Sequence, residues 1–420
     1  MSDCLMLAKG VVAGFALVGC SFALPAFAGP ELPKDVTVWL DLRAAYSDTG
    51  TEWLDGGLSK TRYGSRNQDG FDAEVADVSA LWTPTFSANL SAHLHMQAGP
   101  DQNVDLGLVE GFFKYRILPI NGWRMSARAG RFFPPVSLEH DGPGWSLTRT
   151  LTPSAINSWI GEEVGVVGAE LRAAKRFGDH MIDLRGAAFG FNDTAGALLV
   201  YRGWAQHDVK SVQNGKFALQ DIPALSAPLI DQASVTEPGR ELDDTLGVYA
   251  AANWRYTDQL IVSALVYDNA ADPEVLENGQ YGWNTRFLSL GAKHHVSDQF
   301  ELIGQAMLGE SEMGPLLWAN GTRALDNVFS SAFLMGSWNR ADGDILSARI
   351  DAFSVDDQTR QQSFTEERGW SLTSSWRRPL TRYVEIGAEL LYVDHDRPID
   401  PANGDQSGGV QAQWMLRAKF

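Results

Sequence analysis

From residue 36 to its last residue the chain alternates. Apolar and polar side chains take turns in runs long enough to cross a bilayer as tilted strands. The cleanest run is Phe86–Ala98. Phe86, Ala88, Leu90, Ala92, Leu94, Met96 and Ala98 share one face, and Ser87, Asn89, Ser91, His93, His95 and Gln97 share the other. One such strand would also suit a soluble sandwich, so number and spacing must decide. About sixteen runs are found: Val36–Ser47, Gly70–Leu81, Phe86–Ala98, Val104–Ile117, Gly122–Phe132, Val164–Lys175, Asp179–Phe191, Thr245–Tyr256, Gln259–Asp268, Asn284–Val296, Gln299–Gly309, Val328–Arg340, Asp344–Ser354, Glu367–Arg377, Thr381–Val393 and Gly409–Phe420. Every even-numbered gap is short, whereas the odd gaps are mostly longer, up to about fifty residues. Short turns at one rim and long loops at the other indicate an all-β fold, a transmembrane antiparallel β-barrel of about sixteen strands. No run of 18 apolar residues occurs beyond residue 35, so no helical span competes with this reading.

Strand parity settles one ambiguous segment. Leu198–Gln206 has strand character, but counting it as spanning would move the tight turn Thr257–Asp258 to the wrong rim. It is therefore expected within a long outer loop, Asn192–Asp243, as a hairpin or an inward fold. Aromatic residues flank all seven short turns: Trp82; Tyr115 and Trp123; Phe177; Trp254 and Tyr256; Phe300; Trp338; Trp376 and Tyr383. Amphipathic rings favour the headgroup level, so this ring of them marks a membrane interface.

Residues 1–28 read as an export signal. Lys9 precedes an apolar run that ends in the small-x-small site Ala26-Phe27-Ala28, leaving Gly29 first in a barrel of residues 29–420. Leu17-Val18-Gly19-Cys20 offers a competing lipoprotein cut. Cys4 and Cys20 are the only cysteines, so rigidity after export falls to a closed hydrogen-bonded sheet rather than to disulfides. With 34 Lys+Arg against 52 Asp+Glu the net charge is −18, which excludes nucleic acid as a natural partner. Nearly all of that charge falls in the outer gaps. An acidic rim attracts cations and can bridge to lipopolysaccharide through divalent ions.

The last strand carries the strongest single signal. In GVQAQWMLRAKF, Val410, Ala412, Trp414, Leu416, Ala418 and the terminal Phe420 share one face. A final strand ending in Phe resembles the assembly signal of Gram-negative outer-membrane barrels, and the chain as a whole resembles a sixteen-stranded porin. GRFFPPVSLEH and LTPSAINSWIGEE are similar to the phosphate-selective porin O/P-like group, while the PEFGG stretch of enterobacterial general porins is absent. The resemblance implies passive diffusion of ions and small hydrophilic solutes, of an anion or phosphate type. It also implies a homotrimer, recognition of Trp414, Leu416 and Phe420 by the barrel-assembly machinery, and no cofactor. The third outer loop of such a barrel folds inward and sets the aperture; here that loop is Phe133–Glu163, stiffened by Pro134, Pro135, Pro143 and Pro153. Ser154 or Thr152 is placed to cap a short helix within it.

If apolar residues face lipid, the lumen receives Asp41 and Arg43, Arg124 and Arg128, Glu170 and Arg172, Asp183 and Arg185, Arg349 and Asp351, and Glu385 and Glu389. Placing such charges in lipid would cost roughly 2–4 kcal/mol at the midplane. Arg124, Arg128, Arg172 and Arg185 then sit below a loop that carries Glu139, Asp141, Glu162 and Glu163, which predicts a transverse field. The competing reading is that Glu170 and Asp183 simply neutralise these arginines. Lys is scarce, at nine residues, so a lysine ladder for phosphate is not available. His93 and His95 could begin a metal site, but no third ligand is placed by sequence, and polar lining is the simpler role. No GxSxG, phosphate loop, CxxC or HExxH motif occurs, so a barrel hydrolase has little support. A surface adhesin using Asn192–Asp243 is the other alternative.

Overall fold

A computed structural model of the protein describes residues 32–64, 70–98, 102, 104–222, 225, 229, 231–316, 323–359, 365–397 and 408–420. The expected export signal lies outside these residues. Sixteen strands close one antiparallel barrel: β1 (Val36–Ser47), β2 (Phe71–Trp82), β3 (Leu90–Ala98), β4 (Gly107–Ile120), β5 (Trp123–Phe132), β6 (Val166–Phe177), β7 (His180–Gly190), β8 (Gly247–Tyr256), β9 (Leu260–Asp268), β10 (Asn284–His295), β11 (Phe300–Leu316), β12 (Arg323–Asn339), β13 (Ile345–Asp357), β14 (Glu367–Pro379), β15 (Val384–Asp396) and β16 (Gly409–Lys419). Each strand pairs with its neighbours in sequence, and β16 returns to β1 with Asp41 opposite Arg417. Phe420 completes the seam, exchanging backbone hydrogen bonds with Val38 of 2.8 and 3.0 Å. Closure leaves no unpaired sheet edge, which lipid could not satisfy.

The exterior follows the alternation. Large apolar side chains stand exposed around the wall, among them Leu42, Leu94, Phe113, Leu171, Val262, Leu290, Leu334, Leu372 and Leu416. Trp82, Tyr115, Phe177, Trp254 and Trp338 are exposed beside the short turns, as the aromatic pattern requires.

Two boundaries differ instructively from the sequence reading. β11 and β12 run to Leu316 and from Arg323, whereas their apolar pattern stops at Gly309 and Val328. The extra pairs, such as Glu310 opposite Val328 and Glu312 opposite Asp326, keep the ladder going where the outward positions turn charged. Apolar periodicity ends with the lipid; hydrogen bonding does not. Leu198–Gln206 holds no hairpin. It contains a short buried helix, Ala197–Arg202, inside the barrel.

Gly196 starts that helix at φ +110°, a conformation side chains rarely adopt, and a Cβ there would lie 2.2 Å from the Ser311 hydroxyl on β11. Glycine lets the helix dock against the wall. The inward face of the wall is also not uniformly polar. Tyr249 and Ala251, Leu265 and Tyr267, Phe287, Ile303 and Met307, Phe329 and Phe333, and Phe353 and Val355 form one buried apolar cluster along β8–β13. An apolar face can point into a barrel only if something dry covers it.

Candidate functional site: the lumen and the segments that fill it

The segment between β5 and β6 crosses the lumen. Its last turns form the helix α1 (Ala155–Glu163), capped by Ser154, whose hydroxyl accepts from the Asn157 amide. Every residue of α1 is buried. Trp159 packs against Phe287 of β10 and Phe329 of β12 at ring separations of 5.6 and 5.2 Å. The helix from Ala197 to Arg202, now α2, belongs to the long segment between β7 and β8, which also folds inward. Its neighbour Trp204 meets both Trp159 and Phe329. Together α1 and α2 cover the apolar arc of the wall.

The crossing segment is tied to the far wall by a series of polar contacts. Arg349 on β13 donates to the carbonyls of Thr152 and Pro153 at 2.8 and 2.7 Å, to Glu139 at 3.1 Å and to Asp351 at 2.8 Å. Arg377 on β14 donates to the carbonyls of Leu147 and Thr150. Glu389 on β15 accepts from the Leu151 amide, and Gln413 on β16 donates to Thr152. Arg149 pairs with Glu301 on β11 and with Asp141, which also takes Lys293 of β10. Between this segment and β1, β2, β14 and β16 lies a polar cavity of about 20 Å³, lined in part by Arg43, Asp77, His140 and Arg417. That is room for a water, not for a hydrated ion.

The opposite wall is different. On β4–β7 the inward positions are Lys114 and Arg116, Arg124 and Arg128, Glu170 and Arg172, and Asp183 and Arg185, as the registers Lys114↔Arg128↔Glu170 and Ser126↔Arg172↔Arg185 show. Glu110 on β4 and Arg176 on β6 share this phase, so seven cations face three acids. Arg116 and Arg124 are exposed, and Lys114, Arg172 and Arg185 are half-exposed. Lys114 lies within electrostatic reach of Arg116, Arg128, Arg172 and Arg185.

The expected transverse field pairs differently from the sequence reading. Arg128 pairs with Glu170 at 2.9 Å, and Arg172 and Arg185 share Asp183 at 2.5 and 3.5 Å. Among the described residues Arg124 reaches only the Met181 sulfur. The four loop acids bind elsewhere: Glu139 takes Arg349, Asp141 takes Arg149 and Lys293, and Glu162 takes Arg202 and His207. Glu163 accepts from the Trp159 indole and from the amides of Gly196 and Leu198. Glu139, Glu162, Glu163 and Arg43 are therefore buried rather than open to the lumen: Glu139 sits against Ser154, Asn157 and Arg349, and the other three meet residues between 192 and 208. Arg43, for instance, reaches Asp208 at 3.2 Å. Local sequence could not reveal the long-range pairs, since Arg349, Arg202 and Asp208 lie 210, 40 and 165 residues from Glu139, Glu162 and Arg43. Lys114 and Arg116 alternate on β4 with the outward Phe113 and Tyr115, and that alternation is the signal that could have found them.

Burial sets the charge state of the loop helix. Burial alone would raise the Glu162 carboxyl, but Arg202 and His207 outweigh it and hold it down at about 2. Burial, and then the charge of Glu162, push Glu163 up to about 7. His93 stacks on Phe112 while His95 is packed against Trp39 and Ser79, so the two do not converge on a common ligand. Trp414 and Leu416 face outward and Phe420 lies near Tyr383 at 6.2 Å.

No sequence-family description matches the chain, and no curated protein matches it by sequence. Solved structures do match in fold. The outer-membrane channel DcaP of Acinetobacter baumannii superposes with a TM-score of 0.56 at 11% identity, covering 92% of this chain and 96% of that one. An anion-selective porin from Comamonas acidovorans gives 0.52 at 11% identity, covering 92% and 98%. OmpT, an outer-membrane protein of Vibrio cholerae in a trimer form, gives 0.50 at 8% identity, covering 92% and 98%.

Proposed function

With the sixteen-stranded fold of the outer-membrane porins as premise, we propose that this chain is an outer-membrane diffusion channel for small hydrophilic anions, entered past the segments that fill part of its lumen. The observation that carries the reading is the basic arc on β4–β7. Seven inward cations against three acids leave a net positive wall, which the crossing segment meets at Phe133 through Arg128 and Glu110. Low-dielectric walls focus that field, and lining charge sets the selectivity of a pore. Arg124 and the weakly paired Arg185 remain available to a passing anion, and several such groups along one wall suit multiply charged solutes.

The acidic rim acts against this only at long range. Part of its charge is already paired, as in Glu274–Arg323 and Glu310–Arg286, and exposed charges are screened beyond roughly 8–10 Å in physiological salt. Segment 133–163 is assigned the constriction, since the same residues that block the β1–β16 side border the basic side. The trimer form of a protein with the same fold supports a homotrimer here.

Reversal potentials across a planar bilayer under a KCl gradient test the reading. Wild-type protein is expected to reverse on the chloride side, and Arg116→Gln with Arg124→Gln to move the potential toward neutrality at unchanged barrel yield. A cation-side potential in the wild type would overturn anion preference. A barrel that inserts without conductance steps would overturn the channel itself.

A further inference from the structure

We propose that Glu163 is a proton-operated latch: it fastens the inserted segment 192–243 to α1, so that acid tightens the filling of the lumen and alkali loosens it. The geometry is that of a joint between two loops. Glu163 ends α1, and its carboxylate accepts from the amides of Gly196 and Leu198, at the start of α2, at 3.2 and 2.9 Å. Its own carbonyl accepts from the Asn192 side chain at 2.6 Å. The opening turns of the inserted stretch, from Asn192 to Leu198, thus fasten to the end of α1 at one residue that is almost wholly buried.

The charged and titratable groups that face it are few. Glu162 lies beside it on α1, Arg202 approaches from α2, and Tyr267 from β9. Arg202 is spent on Glu162, which it grips through both oxygens at 2.5 and 2.8 Å. Among the described residues Glu163 is left with three N–H donors and no cation of its own. A carboxylate desolvated in this way, next to a second negative charge, takes up a proton far more readily than one in water.

The sign follows from linkage. Released into water, Glu163 would titrate near its ordinary 4.5, whereas latched it titrates near 7. The latched state binds the proton more tightly. Its stabilisation is complete below 4.5 and is lost as the pH rises through 7, so the latching equilibrium shifts about 30-fold between pH 5.5 and 8.5. Asp193 titrates in the same window, because burial also pushes it to about 7, and it accepts from the Leu242 amide at the other end of the segment.

Two readouts test the proposal. In proteoliposomes, protease cleavage within 192–243 should rise on going from pH 5.5 to 8.5 with a midpoint near 7, and single-channel conductance should rise in parallel. Glu163→Gln, a neutral isostere of the protonated acid, should hold the segment protected and the conductance low at every pH. A wild-type cleavage rate that is flat across this range overturns the latch even where no variant folds. A transition that survives in Glu163→Gln assigns the switch to Asp193 and overturns it equally. Cleavage does not require current, so a barrel that never conducts would refute the channel reading and leave the latch open to test.

Discussion

The two halves of the lumen obey one alternation and reach opposite solutions. On β4–β7 the inward positions include Lys114, Arg116, Arg124, Arg172 and Arg185, open or half-open to water. On β8–β13 they include Tyr249, Tyr267, Phe287, Phe329, Phe333 and Phe353, packed with α1 and Leu199 of α2 in one buried cluster. Lipid dictates the outer face of every strand, but the inner face answers only to what fills the barrel. An inward ring of phenylalanines is therefore a record of loops that fold in. An inward row of arginines shows where water remains.

The largest effect that can sharpen this contrast comes from the clamp between the two halves. Arg349 is buried and holds Asp351, Glu139 and two carbonyls of the crossing segment. Arg349→Met keeps the volume and strands two acids. Breaking a buried ion pair this way costs about 3–5 kcal/mol. The expected outcome is a lower temperature for the loss of barrel mobility on SDS gels, together with larger conductance steps as the segment leaves the wall. Unchanged steps would mean that the segment does not limit the opening.

A smaller loss is expected at the helix cap. Ser154 donates to Glu139 at 2.6 Å and accepts from the Asn157 amide at 3.3 Å. Ser154→Ala should cost about 0.5–2 kcal/mol, the usual penalty for an N-cap. Thermal unfolding followed by circular dichroism measures it. The wet half should be untouched, so the reversal potential stays at its wild-type value.

What the sequence could reveal divides along the same line. Strand number, parity, the aromatic girdle and the capping serine were legible because each depends on neighbours within a few residues. Ser154, followed by Ala-Ile-Asn-Ser-Trp, announces its helix locally. The partners of Glu139, Glu162 and Arg43 were not legible, because Arg349, Arg202 and Asp208 lie 210, 40 and 165 residues away in sequence. Between an opposed field and local neutralisation on β5–β7, pairing by Glu170 and Asp183 prevails for Arg128 and Arg172. It leaves Lys114, Arg116 and Arg124 in excess. The inward fold of 192–243 was foreseen as one of two options, but its helix was not: Leu198–Gln206 is apolar and aromatic enough to pass for a strand until Gly196 and Gly203 mark its ends.

The smallest stability effect should come from the wet wall, and for that reason it discriminates best. Arg185 is half-exposed and sits 3.5 Å from Asp183, a carboxylate that Arg172 already holds at 2.5 Å. Exposed or half-exposed pairs contribute about 0–1 kcal/mol. Arg185→Gln should therefore leave thermal unfolding almost where it was while moving the reversal potential away from the chloride side, because a charge that adds little to the fold still adds its full field to the water beside it. If Arg185→Gln instead destabilised the barrel as much as Arg349→Met, then β4–β7 would be as dry as β8–β13, and the division of the lumen into a packed half and a conducting half would fail.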